Sequence, residues 1–310
     1  MYELLKKMCG IYAPAGEEIQ MTNFILDYVN EHKSSWKTQP IIHAGNGFQE
    51  NIILVFGKPR TAVFAHIDSI GFTVRYNNEL VKLGGPRLNQ GIELYGYDSQ
   101  NNLVEGTLQV QEAQNNEPAK ITLKSKKNVE PGTNLVYKQQ FIEDEKYIQS
   151  CYLDNRLGVL NALKLCETLE NGIVVFSTLE EVSGASPRHL GRFIYENYHV
   201  SQALISDITW VTQGVQHGKG VAISMRDSGI PRRIYVRKIV EIAQKHNIPY
   251  QIEVESSGGS DGNHIQKSGY PIDWCFVGAP EDFVHTPNEK VHKKDFEAML
   301  KLYQLLMQEL

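Results

Sequence analysis

The run Gly172-Ile173-Val174-Val175-Phe176-Ser177-Thr178-Leu179 constrains the fold more than any other stretch of the chain. Its apolar, β-branched side chains do not alternate with polar ones, so the strand it predicts needs cover on both faces. Strands of that kind lie inside α/β sheets, with helices packed on each side. The run ends in two adjacent carboxylates, Glu180 and Glu181, with Gly184 close behind. Both acids thus stand at the carboxyl end of a central strand, where open α/β sheets keep their sites. Side chains alternate along a strand, but on the turn leaving it both can face one cleft. Two like charges side by side push a pKa up. A bound divalent cation removes the conflict, one carboxylate ligating while its neighbour handles protons. Taken alone, the pair has an ordinary explanation as a solvated Glu-Glu at a strand end.

The rest of the pattern supports the interior strand. After Cys151 the spacing predicts a helix over 155–169, strands over 172–179, 203–206, 221–225, 250–255 and 271–278, and helices over 232–246 and 293–310. A Gly-rich loop over 258–262 leads into a short helix. Residues 1–35 read as helical: Leu4, Leu5 and Met8 first, then Ile19, Phe24, Ile25, Tyr28 and Val29 after the Pro14-Ala15-Gly16 break. Strands over 51–56 and 61–65 follow. Between them and Cys151 lies a different texture, with short strand-like pieces (71–76, 104–111, 119–123) among Gly-, Asn- and Pro-rich turns. The fold class expected is α/β. A mixed, largely parallel sheet is flanked by helices, residues 1–69 and 150–310 form one catalytic domain, and residues 70–149 form an inserted small all-β, barrel-like domain.

Composition narrows the partners. The chain of 310 residues, 41% hydrophobic and 22% charged, is that of a globular protein with a sizeable core. A net charge of −5 argues against general affinity for nucleic acid or anionic membrane. The four cysteines, Cys9, Cys151, Cys166 and Cys275, are scattered and read as reduced thiols. Met1–Met8 has the wrong charge pattern for a signal peptide, and no run approaches the roughly 18 apolar residues of a membrane span. The expected location is the cytoplasm.

Candidate ligands fall where predicted strands end: His66 and Asp68 after 61–65, Glu180 and Glu181 after 172–179, Asp207 after 203–206, and His285 on the loop after 271–278. Asp154 stands at a helix start. Each alone has an ordinary role as a cap, turn or surface residue. Together they assemble at one edge of one sheet. Two imidazoles with several carboxylates and no thiolate suit Zn, Mn or Co in a hydrolytic site, not a closed structural Zn site. Asp68, two residues past His66, is placed to accept the imidazole's other N–H. The count suits two metals sharing one carboxylate.

The segments Ala65–Phe72, Leu153-Asp154-Asn155-Arg156-Leu157-Gly158, Glu180-Glu181-Val182, Ser206-Asp207, Gly258-Gly259-Ser260-Asp261 and Val284-His285-Thr286-Pro287 occur in that order. As a set they resemble the M42 family of dinuclear-metal aminopeptidases. M20-type peptidases keep the His-x-Asp and the bridging Asp close in sequence, whereas here 88 positions separate His66 from Asp154. The resemblance implies two divalent ions per subunit, Zn, Co or Mn. His66 and Asp207 would hold one and Glu181 and His285 the other, with Asp154 bridging. It makes Glu180 the general base and Asp68 the group that orients His66, and it implies a cis Asp154–Asn155 peptide. Short peptides would be the substrates and a homo-oligomer, from dimer to dodecamer, the assembly, with no nucleic-acid or membrane partner. Ser69, Asn155 and the Ser183–Arg188 stretch depart from the family's usual pattern and touch substrate preference and assembly, not the metal set. Asp261 and Glu281 are candidates to anchor the substrate's α-amine. Two other chemistries fit parts of the pattern: a deacylase or carboxypeptidase using the same centre, and a metal-independent glycoside hydrolase using paired carboxylates.

Overall fold

The uninterrupted apolar run does lie between two layers. In the computed structural model, which describes residues 1–111 and 120–310, Val174 and Phe176 pack into one hydrophobic core and Ile173 and Val175 into another on the opposite face of the sheet. Helices α1 (Tyr2–Cys9) and α2 (Ile19–His32) open the chain and bury Leu5, Met8, Ile25 and Val29. Ile19, at the first turn of α2, is exposed. Strands β1 (Ile41–Gly45), β2 (Gln49–Phe56) and β3 (Ala62–His66) follow.

Six strands then form a sheet of their own: β4 (Gly71–Val74), β5 (Leu80–Leu83), β6 (Glu93–Tyr97), β7 (Leu103–Gln111), β8 (Lys120–Lys124) and β9 (Asn134–Tyr137). Their order is β5-β4-β9-β6-β7-β8, and a bridge between Glu79 and Thr122 draws the two edges together into a nearly closed small barrel. Phe72, Leu94, Leu108, Leu123 and Leu135 fill it. The strand expected over 119–123 is described from Lys120; Ala119 lies outside the described residues. Past Tyr137 the chain returns to the large sheet. Strands β10 (Ile142–Glu143) and β11 (Tyr147–Ser150) pair there, although residues 138–149 carry the same turn-rich texture as the barrel.

The second half alternates as expected: α3 (Leu153–Cys166), β12 (Gly172–Ser177), α4 (Ser186–Tyr198), β13 (Gln202–Trp210), β14 (Val221–Arg226), α5 (Arg233–Lys245), β15 (Tyr250–Val254), α6 (Asp261–Gln266), β16 (Asp273–Asp282), β17 (Glu289–His292) and α7 (Lys293–Glu309). Helix α4 has little signature in the sequence, because Pro187 and Gly191 read as breaks; Pro187 instead sits in the first turn, where its missing N–H costs nothing. The large sheet is mixed, with β12, β3, β13 and β16 parallel at its centre and antiparallel pairs at its margins. Strand β13 does not stop at Ser206, because its pairing with β16 continues to Trp210 opposite Glu281. Among the described residues, no helix is long and apolar enough to cross a membrane.

Nearly every side chain of α3 is buried, and the helix lies hard against β13. Gly158 permits this, since a Cβ there would stand 2.1 Å from the Ser206 carbonyl oxygen. Backbone cannot yield as a flexible side chain can. Gly158→Ala is therefore expected to lower stability by about 3 kcal/mol; urea unfolding measures it, and an unchanged midpoint would contradict this packing.

Candidate active site

Strand register brings the candidate ligands to one level. Ala62 to Phe64 of β3 pair with Ala203 to Ile205 of β13, and Ser177 of β12 pairs with His66. Carrying the β3–β13 register two residues on sets His66 level with Asp207. Helix α3 begins beside them, and the loop after β16 brings His285 from the other side. The Asp154–Asn155 peptide is cis, as the resemblance implies.

The side chains meet around Asp154. His66 Nε2 lies 3.2 Å from Asp154 Oδ1 and 3.6 Å from Asp207 Oδ2. His285 Nε2 lies 3.3 Å from Asp154 Oδ2 and 3.2 Å from Glu181 Oε2. Glu180 Oε2 stands 3.9 Å from His66 Nε2. Each oxygen of one carboxylate thus faces a separate imidazole–carboxylate pair. All seven candidate residues from the sequence converge here: His66, Asp154, Asp207, Glu181 and His285 face one another, Glu180 borders them and Asp68 lies behind. Asp261 and Glu281, the two candidate amine anchors, are buried and do not line the cleft.

Backbone donors fix the acids. Asp68 accepts from the Glu180 N–H and the Glu181 N–H, both at 3.0 Å, and its Oδ1 lies 3.4 Å from His66 Nδ1. It therefore holds the tip of the Glu-Glu turn as well as facing the imidazole. Glu289 accepts from the Asp154 N–H at 3.2 Å and the His285 N–H at 3.0 Å, tying the two sides of the site together. Nothing in the pattern around Glu289 announces that role except its place four residues after His285. The buried Arg156 guanidinium donates to the Ile67 carbonyl at 2.6 Å, and Asn155 donates to the Ser206 carbonyl at 2.9 Å. The barrel also reaches in: the Gly85 carbonyl is 3.2 Å from His285 Nδ1, and the Arg87 N–H donates to the His285 carbonyl. Non-glycine residues with positive φ gather at the same place, at Tyr152, Leu179, Ser183, Phe283 and His285. Held strain of this kind collects at functional sites.

The electrostatics are those of excess buried negative charge. Burial pushes the Glu180 and Asp207 carboxyls well above their usual range; His66 opposes this and neighbouring acids add to it. Burial works against a charged ring at His66, yet Asp207, Asp154 and Asp68 prevail and raise its pKa. The same contest at His285, with Asp154 and Glu181 prevailing, raises it to about 12. Asp154 moves the other way: burial would raise it, but the two imidazoles win. Glu181 Oε1 is buried without a hydrogen-bond partner among the described residues. Ligand atoms of His66, Asp154 and Glu181 lie within 4.8 Å of one another, close enough to share an ion. Divalent cations take unpaired carboxylate oxygens and imidazole nitrogens, displacing the proton from the ring as they bind, so the residues fit such a group.

The family model described as M42 glutamyl aminopeptidase matches residues 107–302, more than half of the chain. The chain belongs to the M42 family. M42 proteins are metal-dependent peptide-bond hydrolases, and the cluster around Asp154 suits that chemistry. A curated relative from Acetivibrio thermocellus, provisionally named an aminopeptidase, is 26% identical over 97% of each chain. The TET1 peptidase of Pyrococcus horikoshii, described as assembling into a tetrahedron or a large octahedral shell, superposes with a TM-score of 0.82. It is 25% identical, with 100% of this chain and 99% of that one covered. An aminopeptidase from the archaeon Desulfurococcus kamchatkensis shares the fold at a TM-score of 0.83 and 22% identity, covering 99% and 94% of the two chains.

Behind this M42 site, Glu18 accepts from the Gly16 and Leu179 N–H groups through the same oxygen, and burial raises its carboxyl to about 7. A carboxyl raised on folding stabilises the fold while protonated, and that contribution is lost as pH climbs through 7. Glu18→Gln keeps an oxygen for both donors and removes the buried charge. The variant is expected to gain stability over the parent as pH rises from 5 to 9, by at most about 3 kcal/mol. Paired urea titrations across that range test it; a gain that shrinks with pH would contradict it.

Proposed function

We propose that this chain removes single N-terminal residues from short peptides, with two divalent cations held around Asp154. The observation that carries the proposal is the Asp154 carboxylate itself, one oxygen facing His66 and Asp207 and the other facing His285 and Glu181. His66 and Asp207 would hold one ion and Glu181 and His285 the other, with the Asp154 carboxylate placed between them. Nitrogen and oxygen donors without thiolate favour Zn, Co or Mn. Bound there, the cations would supply Lewis acidity, lowering the pKa of water and polarising the scissile carbonyl.

The chain's own groups do the rest. Asp68, facing His66 Nδ1, keeps that nitrogen protonated and leaves Nε2 free to ligate. Gly85 does the same for His285. Glu180 borders the pair without belonging to it, so its carboxylate takes the proton of the attacking water and returns it to the leaving amine. The backbone hydrogen bond to Asp68 fixes where that carboxylate starts. Within the unit expected over 70–149, the barrel strands from Gly71 to Tyr137 act as an inserted domain that shapes access, with Gly85 and Arg87 as its contacts to His285. The assembly is a homo-oligomer, as for the Pyrococcus TET1 peptidase, and four buried unpaired thiols suit a reducing cytoplasm.

Chelation is expected to abolish cleavage of aminoacyl-p-nitroanilides, and added Zn, Co or Mn to restore it, with N-acetylated substrates untouched. Cleavage of blocked substrates at equal rates would instead favour a deacylase. Glu180→Gln should bind metal as the parent does, by competition with a chromogenic chelator, yet lose roughly 10²–10⁴ in kcat. Full turnover in that variant would remove Glu180 as the base.

A further inference from the structure

The cleft holding the proposed metal ligands encloses about 330 Å³, and its far wall is acidic. Besides the ligands and Glu180 it is lined by Asp227, Glu253 and Glu255, with no lysine or arginine among the lining residues. We propose that these three carboxylates select a cationic N-terminal residue, lysine or arginine. The inference rests on the aminopeptidase reading above and adds its substrate class.

Placement comes first. Asp207 and Thr209 lie two residues apart on β13, on one face, so about 7 Å separates them. The Thr209 hydroxyl donates to the Glu253 carboxylate, which sets that acid about one side-chain length beyond the proposed ligands. Asp227 follows the end of β14, which pairs with β15, and Glu255 follows the end of β15. A lysine ammonium stands roughly 6 Å from its own Cα, given the lengths of five extended single bonds. A substrate with its scissile carbonyl beside Asp154 can therefore bring that ammonium to this wall.

Charge balance comes second. Asp227 accepts from the Gly229 N–H, and Glu253 is buried at 4% exposure. The hydrogen bonds of Glu255 are main-chain ones, its N–H donating to the Arg226 carbonyl and its own carbonyl accepting from Arg226 Nε, while its carboxylate lines the cleft. Arg226 stands beside Asp227 and partly offsets its charge, but its Nε donates to the main-chain carbonyls of Asp227 and Glu255 and the residue does not line the cleft. Three acids of one sign, without a lining counter-charge, attract a cation and repel an acidic side chain. Trp210 lines the same wall and is 39% exposed, offering an apolar face to the aliphatic stem of lysine or arginine.

The test compares kcat/KM for Lys-, Arg-, norleucyl- and Glu-p-nitroanilides with divalent metal restored; norleucine copies the lysine stem without its charge. Lys and Arg should exceed norleucine at least tenfold, and Glu should be weakest. Glu255→Gln, at a half-exposed position where folding is not at stake, should cut the Lys-to-norleucine ratio severalfold. Glu255→Lys should move preference toward Glu. Calorimetry should show lysinamide binding more tightly than norleucinamide. Equal rates for lysine and norleucine, or a ratio indifferent to Glu255→Gln, would overturn the assignment while leaving the aminopeptidase reading intact. Silence toward every substrate would instead overturn that reading, and equal binding of the two amides would then overturn this one separately.

Discussion

The mutual repulsion of carboxylates packed around Asp154 is the constraint on which the remaining structure depends. Asp68, Asp154, Glu180, Glu181 and Asp207 share a space that holds only two imidazoles. Left to itself such a group would spread into water or take up protons. Here it is clamped by backbone N–H donors, with Asp68 holding Glu180 and Glu181 and Glu289 holding Asp154 and His285. Donors fixed in the main chain hold the Asp68 and Glu289 carboxylates, and through them the segments that carry the other acids. That preorganisation lets the site present a donor set without rearranging first.

The architecture supplies the clamps. Helix α3 lies close to the sheet because Gly158 has no side chain, which brings Asp154 to the ends of β3 and β13. Arg156, one turn in, ties the helix start to the main chain between His66 and Asp68. The small barrel contributes from outside the sheet, its Gly85–Arg87 segment flanking His285. The barrel, lying between β3 and α3 in the chain, thus contacts His285 more than a hundred residues further along. The same segment borders the cleft, whose other lining residues include Asp227, Glu253 and Glu255.

Much of this was legible in the residues. Seven candidate site positions, read as strand ends and a helix start, converge in space, and the order of the short motifs already resembled the family. The unalternating run over 172–179 foretold two cores, one on each face of a central strand. Other features were hidden for physical reasons. Helix α4 begins with Ser-Pro and contains a glycine, which local propensity reads as loop, whereas burial of Leu190 and Ile194 against the sheet makes it a helix. Strand β13 outlasts its apolar run because β16 continues to offer it partners. Glu289 looks like any surface acid after a Thr-Pro turn until the fold turns it inward.

By itself, the sequence determined the alternation of elements, the interior strand and the inventory of donors, because these follow from side-chain periodicity and residue chemistry within a few turns of chain. Only the tertiary structure decided which oxygen of Asp154 faces which imidazole, that Glu289 and Asp68 are the clamps, and that Asp261 and Glu281 stand away from the cleft while Asp227, Glu253 and Glu255 line it. Those facts depend on strand register and on contacts between segments far apart in the chain. A one-residue change of register would turn each such side chain to the opposite face without altering any local pattern.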